Sequence, residues 1–93
     1  VQAELLLPDH PIVAGISMPW PALLGFNELV CKADATLIAK VGDHPLLATR
    51  NHGLGKTLIW PSDIGPHWCP EPFVTWEGYS RLWLQTLAWL TGK

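Results

Sequence analysis

The chain has 93 residues, 48% of them hydrophobic and 15% charged, which allows one domain at most and lies far from the polar composition of disordered segments. A formal net charge of −2 and a pI near 6.0, with the six Lys and Arg scattered, exclude the basic footprint of a nucleic-acid binder. No apolar run reaches the ~18 residues of a membrane span, and the first residues do not form a basic region followed by a signal-peptide core.

Pro8, Pro11, Pro19 and Pro21 punctuate the first third, and each restricts the residue before it, so no long helix is expected across residues 9–20. Asp9 is placed to cap a single turn beginning near Pro11, which leads into Ile12-Val13-Ala14-Gly15-Ile16. His10 and His44 both precede proline, where a turn role is the natural reading. From Ala33 the pattern changes to strands. Thr36–Val41 and residues 45–50 flank Gly42-Asp43, a pair suited to a tight hairpin turn. A second Gly-rich turn, residues 51–56, leads to a strand over residues 57–60 and completes a three-stranded meander, with His52 facing solvent. Gly53-Leu54-Gly55-Lys56 has the look of a phosphate-loop fragment, but it precedes a strand instead of opening a helix, so a hairpin turn is expected there.

The strand over 57–60 runs into Pro61-Ser62-Asp63-Ile64-Gly65-Pro66-His67-Trp68. In open α/β sheets ligands bind beyond the carboxyl ends of strands, so this loop is where a site is sought. Asp63 and His67 are the candidate catalytic groups, with Ser62 and Trp68 as candidate ligand contacts at the rim of a pocket. The structural alternatives are a His67 that hydrogen-bonds a neighbouring carbonyl and a Ser62-Asp63 pair that serves as a cap or turn.

The last element is an amphipathic helix. Thr75 is expected as its N-cap, Glu77 in its first turn and Gly92 as its C-terminal stop. Trp76, Tyr79, Trp83, Leu87 and Leu90 fall in one arc at helical spacing, opposite Glu77, Arg81 and Gln85, and Trp83 at the centre of the arc is expected to be buried. Leu82 and Trp89 widen the arc, either as a second contact surface or as ordinary half-exposed positions. Six tryptophans are many for a domain that buries about 60–65% of its surface, so some rings are expected to face a partner or another part of a larger fold. Cys31 and Cys69 do not make a disulfide framework and read as reduced thiols. Neither Cys-x-x-Cys nor His-x-x-x-His spacing occurs, and no metal site or cofactor is expected.

Asp9-His10-Pro11-Ile12, Gly53-Leu54-Gly55-Lys56, the loop from Ser62 to Trp68, Trp76-Glu77-Gly78-Tyr79 and Leu87-Ala88-Trp89-Leu90 together resemble the C-terminal part of the putative glutamine amidotransferase family. Members are cytoplasmic proteins related to the trehalose-utilisation proteins and longer than this chain. The resemblance implies an α/β, flavodoxin-like class I amidotransferase-like fold, of which residues 1–93 are the C-terminal segment of a single domain, a β-meander plus a C-terminal amphipathic helix. One helix and a meander cannot cover both faces of a doubly wound sheet, in keeping with a segment.

Class I enzymes of this kind release ammonia from glutamine with a Cys nucleophile on a strained turn, a His base and a Glu that orients it. Cys31, between Val30 and Lys32, and Cys69, between Trp68 and Pro70, do not look like such an elbow, which the resemblance places in an N-terminal half. His67 matches the base. The orienting Glu normally follows two residues after that His, whereas here Trp68 and Cys69 follow and Glu71 lies too far along, leaving Asp63 as the orienting candidate. Two readings follow: an amidotransferase-like enzyme portion, or a non-catalytic ligand-binding or oligomerisation module of the same fold. A small-molecule ligand is the expected partner in either case, together with a second copy or the N-terminal half, and without nucleic acid or membrane.

Overall fold

The computed structural model describes residues 1–62 and 68–92. Four strands, β1 (Glu4–Leu5), β2 (Thr36–Val41), β3 (His44–His52) and β4 (Gly55–Ile59), form one antiparallel sheet in the order β1-β2-β3-β4. Two helices follow, α1 (Glu71–Val74) and α2 (Glu77–Thr91). Both expected hairpins are present. Each has a two-residue loop with glycine first, at φ 59° for Gly42 and 60° for Gly53, a conformation that costs other residues strain but suits the twist of paired strands. The Gly53-Leu54 pair is therefore a turn, as read. β3 and β4 are longer at the hairpin than expected, and β4 ends at Ile59, one residue before Trp60. β1 adds a fourth strand through Glu4 opposite Lys40 and Leu5 opposite Ala39; two residues are too few to carry a periodic signal.

Residues 45–49 of β3 are all buried, so both faces of this strand are covered. Side chains alternate across a strand, which puts Ala48 and Arg50 on one face with their β4 partners Ile59 and Thr57, and Thr49 on the other with Leu58. The buried core takes Ile12, Val13, Trp20, Leu23, Ile38, Leu46, Leu47, Phe73 and Leu82, each no more than 1% exposed. An antiparallel sheet usually leaves one face wet; β3 does not.

Among the described residues the first third holds no helix, as its prolines require. It forms a turn around residues 8–15, and the cap is His10, not the expected Asp9. The His10 carbonyl accepts the N–H groups of Val13 (3.0 Å) and Ala14 (2.9 Å), and its Nδ1 accepts the Ile12 N–H at 3.2 Å. An imidazole nitrogen here does what a cap oxygen usually does, which seats Ile12 and Val13 in the core. The His10 ring also lies 5.6 Å from that of Trp89 on α2. His44 opens β3, and its Nε2 lies 3.3 Å from the Glu28 carboxylate.

Helix α2 corrects two expectations. Its N-cap is Trp76, without a side-chain cap, because Thr75 already ends α1 and donates its hydroxyl to the Glu71 carbonyl at 2.7 Å. Its buried side runs through Gly78, Leu82 and Thr86, while Leu87 is 60% and Leu84 67% exposed. At about 100° per residue, the buried line is rotated roughly a quarter turn from the expected arc. Gln85, expected on the polar side, is half-buried and donates to the Ile12 carbonyl at 2.7 Å. Trp83 is half-buried, at the flank of the buried line instead of its centre. The rotation has a visible cause: Trp76, Tyr79 and Trp83 form a side cluster with Phe73 and Trp60, so the rings pack sideways along the helix while aliphatic Leu82 meets the core. The helix ends at Gly92 with φ 75°, as read.

Two outcomes follow. Leu82→Ala should cost about 2–5 kcal/mol in urea denaturation, the range for truncating a buried leucine, whereas Leu87→Ala should stay within about 0.5 kcal/mol; equal losses would place the buried line where the sequence pattern put it. Burial holds the His10 imidazole below its ordinary 6.5, and its Nδ1 is used as an acceptor, so the folded state prefers the neutral ring. The unfolded chain takes up this proton first as pH falls. Stability is therefore full above about pH 6.5 and declines below it, flattening once pH drops beneath the folded pKa. The urea midpoint of His10→Gln should fall less between pH 7.5 and 5.5 than that of the wild type; parallel curves would remove His10 as the cause.

Candidate functional site

Past Ile59 the chain leaves the sheet through Trp60, Pro61 and Ser62 and returns through Trp68, Cys69 and Pro70 into α1. Both stems are fastened to the same short segment, residues 24–27. On the outgoing stem, the Asn27 N–H donates to the Pro61 carbonyl at 2.6 Å, and the Ser62 hydroxyl donates to the Gly25 carbonyl at 2.7 Å. On the returning stem, the Leu24 N–H donates to the Trp68 carbonyl at 2.8 Å. Gly25 lies directly under the Trp68 ring: a Cβ there would come within 2.9 Å of the indole Nε1, so only glycine lets the backbone approach this closely. The stems are held from behind by the aromatic cluster, where Trp60 meets Trp83 edge-on at 5.2 Å and 85°, and Cys69 is completely buried.

Of the four residues singled out in sequence, Ser62 and Trp68 are thus brought together on one support, while Asp63 and His67 lie outside the described residues. Ser62 directs its hydroxyl to the Gly25 carbonyl, into the protein, and Trp68 is half-buried. Sequence reasoning missed the 24–27 segment. Its one available signal was a glycine between two large apolar residues, Leu24 and Phe26, in a stretch without periodicity.

The remaining polar groups make local pairs. Arg50 Nε donates to Asp34 at 2.8 Å, and this bond holds the Asp34 carboxyl below its usual range. Lys56 reaches across to the end of α2, where Nζ donates to the Trp89 carbonyl at 3.0 Å and sits 4.9 Å from the Trp89 ring. A polar cleft of about 350 Å³ is lined by Gly15, Ser17, Glu77 and Arg81, with the Arg81 Nε donating to Gln85 at 3.0 Å. The two cysteines form no disulfide: Cys31 is in the irregular segment before β2, and buried Cys69 lies on the returning stem, two residues before α1. Among the described residues, no three His, Cys, Asp or Glu side chains gather as a metal site would require, and no helix is long and apolar enough to cross a membrane.

If residues 24–27 hold the loop, perturbing the contact should be felt in stability. Gly25→Ala should destabilise by about 1–3 kcal/mol because the indole must be displaced, and Ser62→Ala by about 0.5–1.5 kcal/mol for one lost hydrogen bond. Urea denaturation of the two variants tests this; a Gly25→Ala protein as stable as wild type would mean that Trp68 is not clamped.

Comparison with known proteins gives the geometry a context. No curated protein matches the chain. The solved structure of the cytoplasmic protein STM3548 from Salmonella typhimurium is similar, with 37% identity and a TM-score of 0.90, over 96% of this chain and 36% of that one. The cytoplasmic protein STM1381 from Salmonella typhimurium LT2 is similar too, with 32% identity and a TM-score of 0.89, over the same shares. The chain therefore spans about a third of the length of the solved structures it matches. The profile of the family described as putative glutamine amidotransferase matches residues 1–92, and on that match this α/β chain belongs to the putative glutamine amidotransferase family.

Proposed function

We propose that the chain supplies the base-bearing part of an amidotransferase-like site, completed by a nucleophile from outside these residues, in a domain of the flavodoxin-like class I type. The observation that carries this reading is the double fastening of the loop at the end of β4: the segment that holds an Asp and a His is tied at both stems to residues 24–27. Fixed stems favour the positioning that a catalytic group demands. Membership of the putative glutamine amidotransferase family over residues 1–92 supports a reading of this kind. In that reading His67 takes the proton of an attacking thiol, the thiolate adds to the side-chain carbonyl of glutamine, and ammonia leaves with the proton returned by His67; water then cleaves the thioester. Asp63 takes the orienting role, and Trp68 forms a wall of the substrate pocket. Cytoplasmic residence belongs to the same reading, supported by the descriptions of both Salmonella neighbours.

A second reading has its own support. His67 is followed by Trp68 and Cys69 where class I enzymes have a Glu two residues on, and this departure favours a domain that binds a small molecule without turning it over. Ammonia release from glutamine by the product of the full reading frame containing residues 1–93 separates the two. The enzymatic reading expects release that His67→Ala lowers by about 10²–10⁴-fold, the span for losing a general base. Release unchanged by His67→Ala would exclude it as the base, and no release by the intact protein would leave the binding module.

A further inference from the structure

The sheet is covered unevenly. On the face that carries Ala48, Arg50, Thr57 and Ile59, the irregular segment before β2 forms a groove of about 300 Å³. Its apolar walls are open: Ile59 is 52% and Val30 93% exposed, with Leu29 at 38% and half-exposed Cys31 beside them. The groove borders β4, which ends the sheet. β4 pairs with β3 through five consecutive partners without a bulge, and among the described residues nothing pairs with its other side. Proteins blunt such edges with bulges, shortness, charge or a covering element. Here Lys56 is the single charge, and a run of backbone donors and acceptors stands next to an apolar groove.

From this we infer that the outer edge of β4 and the Leu29-Val30-Ile59 groove are a docking surface for the remainder of an amidotransferase-like domain, a strand of which continues the sheet past β4. The occupant is indicated by proportion. The two Salmonella structures contain this substructure almost unchanged, at TM-scores of 0.90 and 0.89, as 36% of their length, so the larger part of each is polypeptide that a fold of this kind carries in addition. A strand on β4 would satisfy its outward groups, and side chains on that strand would fill the groove. The inference rests on the reading of the chain as part of an amidotransferase-like domain, but it makes no use of catalysis.

Thiol labelling reads the groove directly, because Cys31 lines it while fully buried Cys69 serves as an internal control. In the folded 93-residue chain, Cys31 should label at least tenfold faster than Cys69. In the product of the full reading frame containing residues 1–93, Cys31 should become as slow as Cys69. Ile59→Lys should leave the melting temperature of the 93-residue chain unchanged and lower that of the full product. Equal Cys31 labelling in both proteins, or an Ile59→Lys effect of the same size in both, overturns the inference. So does shielding of Cys31 in the 93-residue chain that grows with its concentration, since the occupant would then be a second copy. Ammonia release is measured separately, so an inactive full product with a shielded Cys31 contradicts only the enzymatic reading.

Discussion

Burial of β3 on both faces is the constraint on which the rest of the structure depends. Residues 45–49 carry no alternation of polar and apolar side chains, so neither face can be left to water. Part of the covering is supplied by the turn around residues 8–15 together with Phe73 and Leu82 of the two helices, which share one buried cluster with Leu46 and Leu47. Another part is supplied by the irregular segment before β2, where Asp34 accepts from Arg50 Nε at 2.8 Å and Glu28 lies 3.3 Å from His44 Nε2. Because that segment must lie along the sheet, its residues 24–27 come to rest beside the exit of β4 and are available to hold the loop. The two stems of the loop after β4 are thus held where they are by the way the sheet is covered.

The same logic accounts for the aromatic residues. Along the side of α2, Phe73 meets Trp60, Trp76 and Tyr79, and Trp83 meets Trp60 and Tyr79, while the core proper is mostly aliphatic, with Trp20 and Phe73 as its rings. This cluster joins the end of β4 to the start of α2 and stiffens the stems on either side of the loop. A short chain with a small core gains from such a cluster, since each ring buries a large area at little conformational cost.

What the sequence disclosed, and what it hid, divides by range. The hairpins were legible because Gly42 and Gly53 each begin a two-residue loop, a strictly local requirement, and the end of α2 was legible because Gly92 must take a positive φ. The fastening of the stems after β4 was not legible, since it comes from Leu24, Gly25 and Asn27, more than thirty residues away. The buried face of α2 was misread because the helical pattern records which side is apolar and not which of two apolar sides meets the core; Leu82 and Leu87 look alike in sequence. Thr75 looked like a cap for α2 because the four residues of α1, with Pro72 among them, give too little periodicity to reveal a helix ending there. His10 escaped as a cap since an imidazole acceptor depends on ring orientation, which spacing does not encode.

The claim that two-sided burial of β3 organises the fold is tested most directly by amide hydrogen exchange resolved along the chain. The amides of Leu46, Leu47 and Ala48 should be among the slowest in the protein, opening only with global unfolding, while those at Gly53 and Leu54 exchange freely. Exchange at Leu46, Leu47 and Ala48 as fast as in that turn would contradict the account, because it would show that at least one of the two coverings is not in place.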